Sequence, residues 1–158
     1  MTNETSANNH TDLSLNRFVS AQNNVYQTVL EELNNGNKQT HWMWFIFPQI
    51  DGLGTSTTAR FYAIKSIDEA KAYLTHPFLG KRLLECSAIL LTINDKSAND
   101  ILGFPDYVKL QSCMTLFSIV FPHENIFEEV LIKYYKGQTD EKTIVILESF
   151  ITNNNINF

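Results

Sequence analysis

Apolar residues recur at helical spacing through most of the chain. In "LSLNRFVSAQNNVYQTVLEELNNG", Leu15, Phe18, Val25, Val29 and Leu33 stand mostly three or four positions apart, and Gly36 is placed to cap a helix end. "SIDEAKAYL" opens with Ser66 and carries Glu69 three positions later, the spacing of a capping box. "HPFLGKRLLECSAILLTI" puts Leu79, Leu83, Cys86, Leu90 and Ile93 on one stripe behind a first-turn proline. Further helices are predicted over about 106–121, 126–136 and 141–151, the second ending at Gly137 and the third starting after Asp140 as N-cap. The run 42–47 is short, continuous and aromatic, so periodicity does not separate a buried strand from a turn of core helix. The pattern predicts a mainly α fold: a compact single-domain bundle of about six helices, with room for one short extended aromatic segment.

The ends of the chain fall outside this pattern. Residues 1–12, "MTNETSANNHTD", have no bulky apolar residue beyond Met1, which predicts a disordered tail. Residues 153–158 predict a short frayed C-terminal tail, leaving one domain over 13–152. With 158 residues, 44% of them hydrophobic, the chain can bury a substantial core. A net charge of -5 without any run of Lys or Arg argues against a nucleic-acid partner. No window approaches the roughly 18 continuous apolar residues of a membrane span, and the N-terminus has no secretory pattern, so the expected location is cytoplasmic. Cys86 and Cys113 lie in apolar segments and are expected to be reduced, buried thiols. His10, His41, His76 and His123 are scattered without metal-ligand spacing, so neither a metal nor a cofactor is expected. The sequence leaves the oligomeric state open.

Candidate chemistry concentrates in "THWMWFIFPQIDGLG", Thr40 to Gly54. Such an aromatic run is ordinarily core, because aromatic rings dominate packing. Its flanks suggest more. Trp42 and Trp44 each carry an indole N–H that seeks a partner, and either ring can stack on a flat ligand. Pro48 bends the chain, and Gly52 and Gly54 permit close backbone approach. Gln49 can read a polar ligand edge or tie down its own loop. Ser56, among the hydroxyls of 55–58, can cap a helix or help seat an anion, with Arg60 behind it. His41 and Asp51 are the acid or base candidates should chemistry occur. A second constellation lies in "DYVKLQSCMTLF", Asp106 to Phe117, which is apolar nearly all round and so reads as a central helix. Lys109 either pairs with Asp106 or faces a ligand anion, with Ser112 and Thr115 lining the same pocket.

The stretches "RFVSAQ", "HWMWFIFPQ", "GLGTS", "EAKAYLTHPFLGKRL", "KLQSCMTLF" and "YYKGQTDEKTIVIL" resemble, in this order, a bacterial and fungal domain-of-unknown-function family numbered eighteen-ten, sometimes mislabelled calpastatin. The resemblance covers about 15–147 and implies a mainly helical fold, without a reaction. An aromatic segment, then "AKAYL…LGKRL", then a lysine-bearing helix is more loosely similar to the NADAR family. That similarity implies a ligand related to NAD or ADP-ribose and an N-glycosidic cleavage; the tryptophan-glycine stretch of that family is missing here. The leading expectation is therefore an uncharacterised protein with one small-molecule pocket where 41–56 meets the 106–117 helix, taking a nucleotide or ADP-ribose-like ligand. Hydrolysis of an N-glycosidic bond is the reaction such a pocket would perform. The alternative is a non-enzymatic protein-interaction module built on the Trp-rich loop.

Overall fold

The computed structural model describes residues 15–154. These residues form ten helices: α1 (15–23), α2 (Tyr26–Asn34), α3 (Met43–Ile46), α4 (Thr57–Tyr62), α5 (Ile67–Thr75), α6 (Leu79–Thr92), α7 (Ala98–Leu102), α8 (Asp106–Val120), α9 (Ile126–Tyr135) and α10 (Glu141–Asn154). The excess over about six has two causes. The stretch predicted as one helix breaks at a turn over Asn24–Val25, giving α1 and α2. The helices α3, α4 and α7 span four, six and five residues, too few to show a hydrophobic period. The aromatic run resolves as a helical turn rather than a strand. The extended piece follows it as a parallel bridge between Ile50 and Ile64, held by the Asp51 N–H to Ile64 O (2.8 Å) and the Ile64 N–H to Gln49 O (2.8 Å). The tail expected at 1–12 lies outside the described residues, as do the last four positions of the one expected at 153–158; Asn153 and Asn154 still belong to α10.

Helix α8 is the centre of the bundle. It packs against α5, α7, α9 and α10. Its buried side chains, among them Leu110, Cys113, Met114, Leu116 and Phe117, leave no polar face to water along the middle turns, as an all-round apolar helix requires. Burying side chains of this size contributes about 1.5–3 kcal/mol each. Both cysteines are buried and unpaired with each other, and burial pushes the Cys86 thiol up to about 12.

Local punctuation follows from side chains at the expected places, with two exchanges. Asp140 accepts from the Thr143 N–H at 3.0 Å, and Gly36 and Gly137 take positive φ at helix ends. Ser66 accepts from the Glu69 N–H, but the Glu69 carboxylate does not return to Ser66; it takes the Lys65 N–H and pairs with Arg17 at 2.8 Å. The reciprocal capping box forms instead at Ser97 and Asp100, opening α7. Pro77 precedes α6 rather than sitting in its first turn, and the helix is capped by His76, whose Nδ1 accepts from the N–H groups of Phe78 and Leu79. Among the described residues, no helix is long and apolar enough to cross a membrane.

Candidate functional site

Two tryptophans two positions apart on a helical turn face different ways. Trp42 points inward: it is 1% exposed, and its indole N–H donates to Glu32 Oε1 at 2.9 Å. That contact removes it from any ligand wall. Trp44 is half-buried and faces a cleft of about 360 Å³ between the 38–44 segment and the start of α8. Lys38, His41, Trp44, Phe104, Asp106 and Lys109 line this cleft. A second cleft of about 240 Å³ lies alongside, lined by Gln49, Gly54, Val108, Ser112, Asp140 and Lys142. Lys109 and Pro105 belong to both, so Lys109 stands on the divide.

The geometry of the divide is set by charge. The Lys109 ammonium lies 5.2 Å from the centre of the Trp44 ring, within cation–π range. Its nearest carboxylate, Asp106, is one helical turn back at 3.9 Å. Asp106 has a closer partner in Lys38, at 2.8 Å, and the Lys38 side chain is only 7% exposed. Lys38 also donates to Thr40 O at 2.6 Å and stands 5.0 Å from the Trp42 ring centre. Two lysines against one aspartate leave one unit of positive charge in the first cleft, on a chain whose overall charge is -5.

The segment carrying Lys38 is itself pinned. Glu32, 8% exposed, accepts the N–H groups of Gln39 (2.8 Å) and Thr40 (3.0 Å), the Thr40 hydroxyl (2.7 Å) and the Trp42 indole. Burial alone would raise its pKa; the four donors outweigh it and hold the carboxyl down at about 2. A deeper hydrogen-bond group, Gln22 Nε2 to Phe45 O (2.7 Å) and to the Tyr73 hydroxyl (3.0 Å), fixes the far end of α3.

The structure thus brings together His41, Trp44, Gln49, Gly54, Lys109 and Ser112 around the two clefts. The other expected residues lie elsewhere. Asp51 lines neither cleft and pairs with Lys65 at 3.5 Å, so it does not face His41 across a site. Gly52 has φ +110 and backs onto Ile146. Ser56 caps α4, accepting the Ala59 N–H at 3.1 Å, and Arg60 is exposed. Thr115 is fully buried and ties α8 to α10, donating to Gln111 O and accepting the Asp140 N–H, both at 2.8 Å. Lys38, Phe104 and Pro105 were not legible as lining residues. Nothing local marks Lys38, whose partner Asp106 is far along the chain, and Phe104, 76% exposed, sits in a turn without a period. Among the described residues, no group of three or more His, Cys, Asp or Glu is placed to hold a metal ion.

No curated protein matches the chain. The crystal structure of the conserved hypothetical protein Rv1873 from Mycobacterium tuberculosis is similar, with 47% sequence identity and a TM-score of 0.84; the match covers 85% of this chain and 96% of that one. The looser similarity to the NADAR family finds no support among the matches. Residues 12–147 match the family described as "Protein of unknown function (DUF1810)", and a match over so much of its length shows that the chain belongs to that family.

Proposed function

We propose that the paired clefts bind a small ligand in which a flat ring stands beside a negatively charged group, a nucleotide or ADP-ribose-like compound. The observation that supports this is the placement of Lys109. Its ammonium lies over Trp44, borders both clefts and keeps only a long contact to a carboxylate already paired with Lys38. A cation so placed meets a ligand anion without first breaking a close ion pair. Because Lys109 covers a face of Trp44, that indole is the platform of the lysine and part of the cleft wall. Ring packing then falls to Phe104, exposed at the rim of the first cleft. Gln49 and Ser112 supply polar groups to the second cleft. Cleavage of an N-glycosidic bond, if the ligand is a substrate, would draw on His41, the histidine at the rim.

The test is thermal denaturation in the presence of NAD, ADP-ribose, AMP and GMP. Saturation at a hundred times Kd stabilises the native state by about 2.7 kcal/mol, which raises Tm by roughly 5–10 °C for a chain of this size. Lys109→Ala is expected to keep the unliganded Tm within about 2 °C and to abolish the shift, since a pair as open as Lys109–Asp106 adds little stability. Absence of any shift at millimolar ligand defeats the reading. The exposure of Phe104 (76%) at the first cleft and of Val108 (37%) at the second then favours the second reading, a surface for a protein partner.

A further inference from the structure

We infer that Lys38 is a positioning residue that sets the charge selectivity of the cleft: by occupying Asp106 it keeps Lys109 available to an oxyanion of the ligand. The inference rests on the ligand-binding reading above and adds the reason why the site should select an anionic compound over its neutral counterpart.

Asp106 lies between two lysines that share its charge through different oxygens, Oδ2 at 2.8 Å from Lys38 and Oδ1 at 3.9 Å from Lys109. The shorter contact is a close ion pair, while the longer one is a through-space attraction at the limit of an ion pair. Lys38 has little freedom to leave. Its side chain is 7% exposed, its ammonium also donates to Thr40 O at 2.6 Å, and Glu32 pins that same stretch by three contacts to Gln39 and Thr40. Lys109 is the freer partner, with 24% of its side chain exposed, on the exposed end of α8 and at the edge of both clefts. Remove the Lys38 charge and Asp106 has one cation left to bond. A rotamer change of Lys109 closes a gap of about 1 Å, and the first cleft, now neutral, loses its attraction for an anion. Remove the Asp106 charge as well and the need for Lys38 disappears.

A merely structural lysine would not show this dependence, so the experiment is a double-mutant cycle read as anion selectivity. The ratio of the adenosine Kd to the AMP Kd is measured by titration calorimetry on the full chain, for wild type, Lys38→Met, Asp106→Asn and the double variant. Wild type is expected to prefer AMP. Lys38→Met should lower the ratio by about fivefold or more and Asp106→Asn should raise it, but in the Asp106→Asn background Lys38→Met should change the ratio by less than about twofold, the non-additivity expected when Lys38 acts only through Asp106. Inorganic phosphate as a probe of the anion seat alone should follow the same order. If AMP binds and Lys109→Ala abolishes it, but Lys38→Met leaves the ratio unchanged or lowers it equally in the Asp106→Asn background, the inference is overturned while the ligand reading stands. If wild type binds neither compound nor any other nucleotide, the ligand reading falls and takes the inference with it. Asp106→Asn keeps the side-chain shape and leaves the backbone bonds of the first turn of α8 in place, so its rise in selectivity is testable even if Lys38→Met fails to fold.

Discussion

At the scale of single residues, the contrast between Trp42 and Trp44 decides what the aromatic run is for. The sequence shows two equivalent indoles; only the direction of each separates core from cleft, and that depends on a partner, Glu32, ten positions earlier. Glu32→Ala would leave two backbone N–H groups, a hydroxyl and the buried Trp42 indole without their acceptor. A loss of about 3 kcal/mol is expected in urea denaturation, because several buried donors go unsatisfied at once. The pH dependence has a definite sign. The Glu32 carboxyl is at about 2 in the folded chain against an ordinary 4.5. A lowered carboxyl stabilises the fold fully above the unfolded value, and that contribution fades as pH falls from about 4.5 toward 2. Wild type should therefore lose stability across this window more steeply than Glu32→Gln, and equal slopes would show that the carboxylate is not held as described.

At the scale of elements, the contact between α5 and α6 turns on Gly80. A Cβ built there would stand 1.8 Å from the Leu74 carbonyl oxygen, so the helices meet only because no side chain is present. Helix propensity alone favours Gly→Ala by about 1 kcal/mol in a helix interior. Steric overlap with backbone must win here, since a carbonyl cannot rotate away like a side-chain end. Gly80→Ala is expected to lower Tm by 5 °C or more, and a Tm at or above wild type would contradict the close approach. This dependence was invisible in the spacing of Leu79, Leu83 and Leu90, which marks the buried face but not the distance to the next helix. Caps were legible where they are local: Asp140, Gly36 and Gly137 act within three residues or by their own φ. The role of His76 as a cap, the break at Asn24–Val25 and the five-residue α7 were not, because each interrupts a period or is too short to have one. Of the candidate site, Lys109 could be picked out because a lysine on a helix apolar nearly all round is locally unusual, whereas the sequence offered Trp42 and Trp44 alike. Lys38 could not be picked out, since its role depends on Asp106, brought to it only by the fold.

At the scale of the whole molecule, the cleft is a small positive region on an acidic chain, and the two fields have different reach. The net charge of -5 acts over the size of the molecule, whereas Lys38, Asp106 and Lys109 act over a few ångströms. Screening distinguishes them. The Debye length falls from about 30 Å at 0.01 M salt to about 10 Å at 0.1 M, which removes most of the distant repulsion and little of the contact attraction. On the proposed binding reading, an anion approaching such a protein would be slowed at low salt by the chain as a whole and then held by the cleft. The association rate of AMP, followed by stopped-flow Trp fluorescence, should consequently rise by about twofold between these two salt concentrations. Its dissociation rate should change little, because the closing contacts are shorter than either screening length. A binder with a broadly basic face behaves in the opposite way, its association rate falling steeply with salt. A falling association rate here would mean that the ligand meets a positive field larger than the one surplus charge of the cleft, and that the anion seat lies outside the paired clefts.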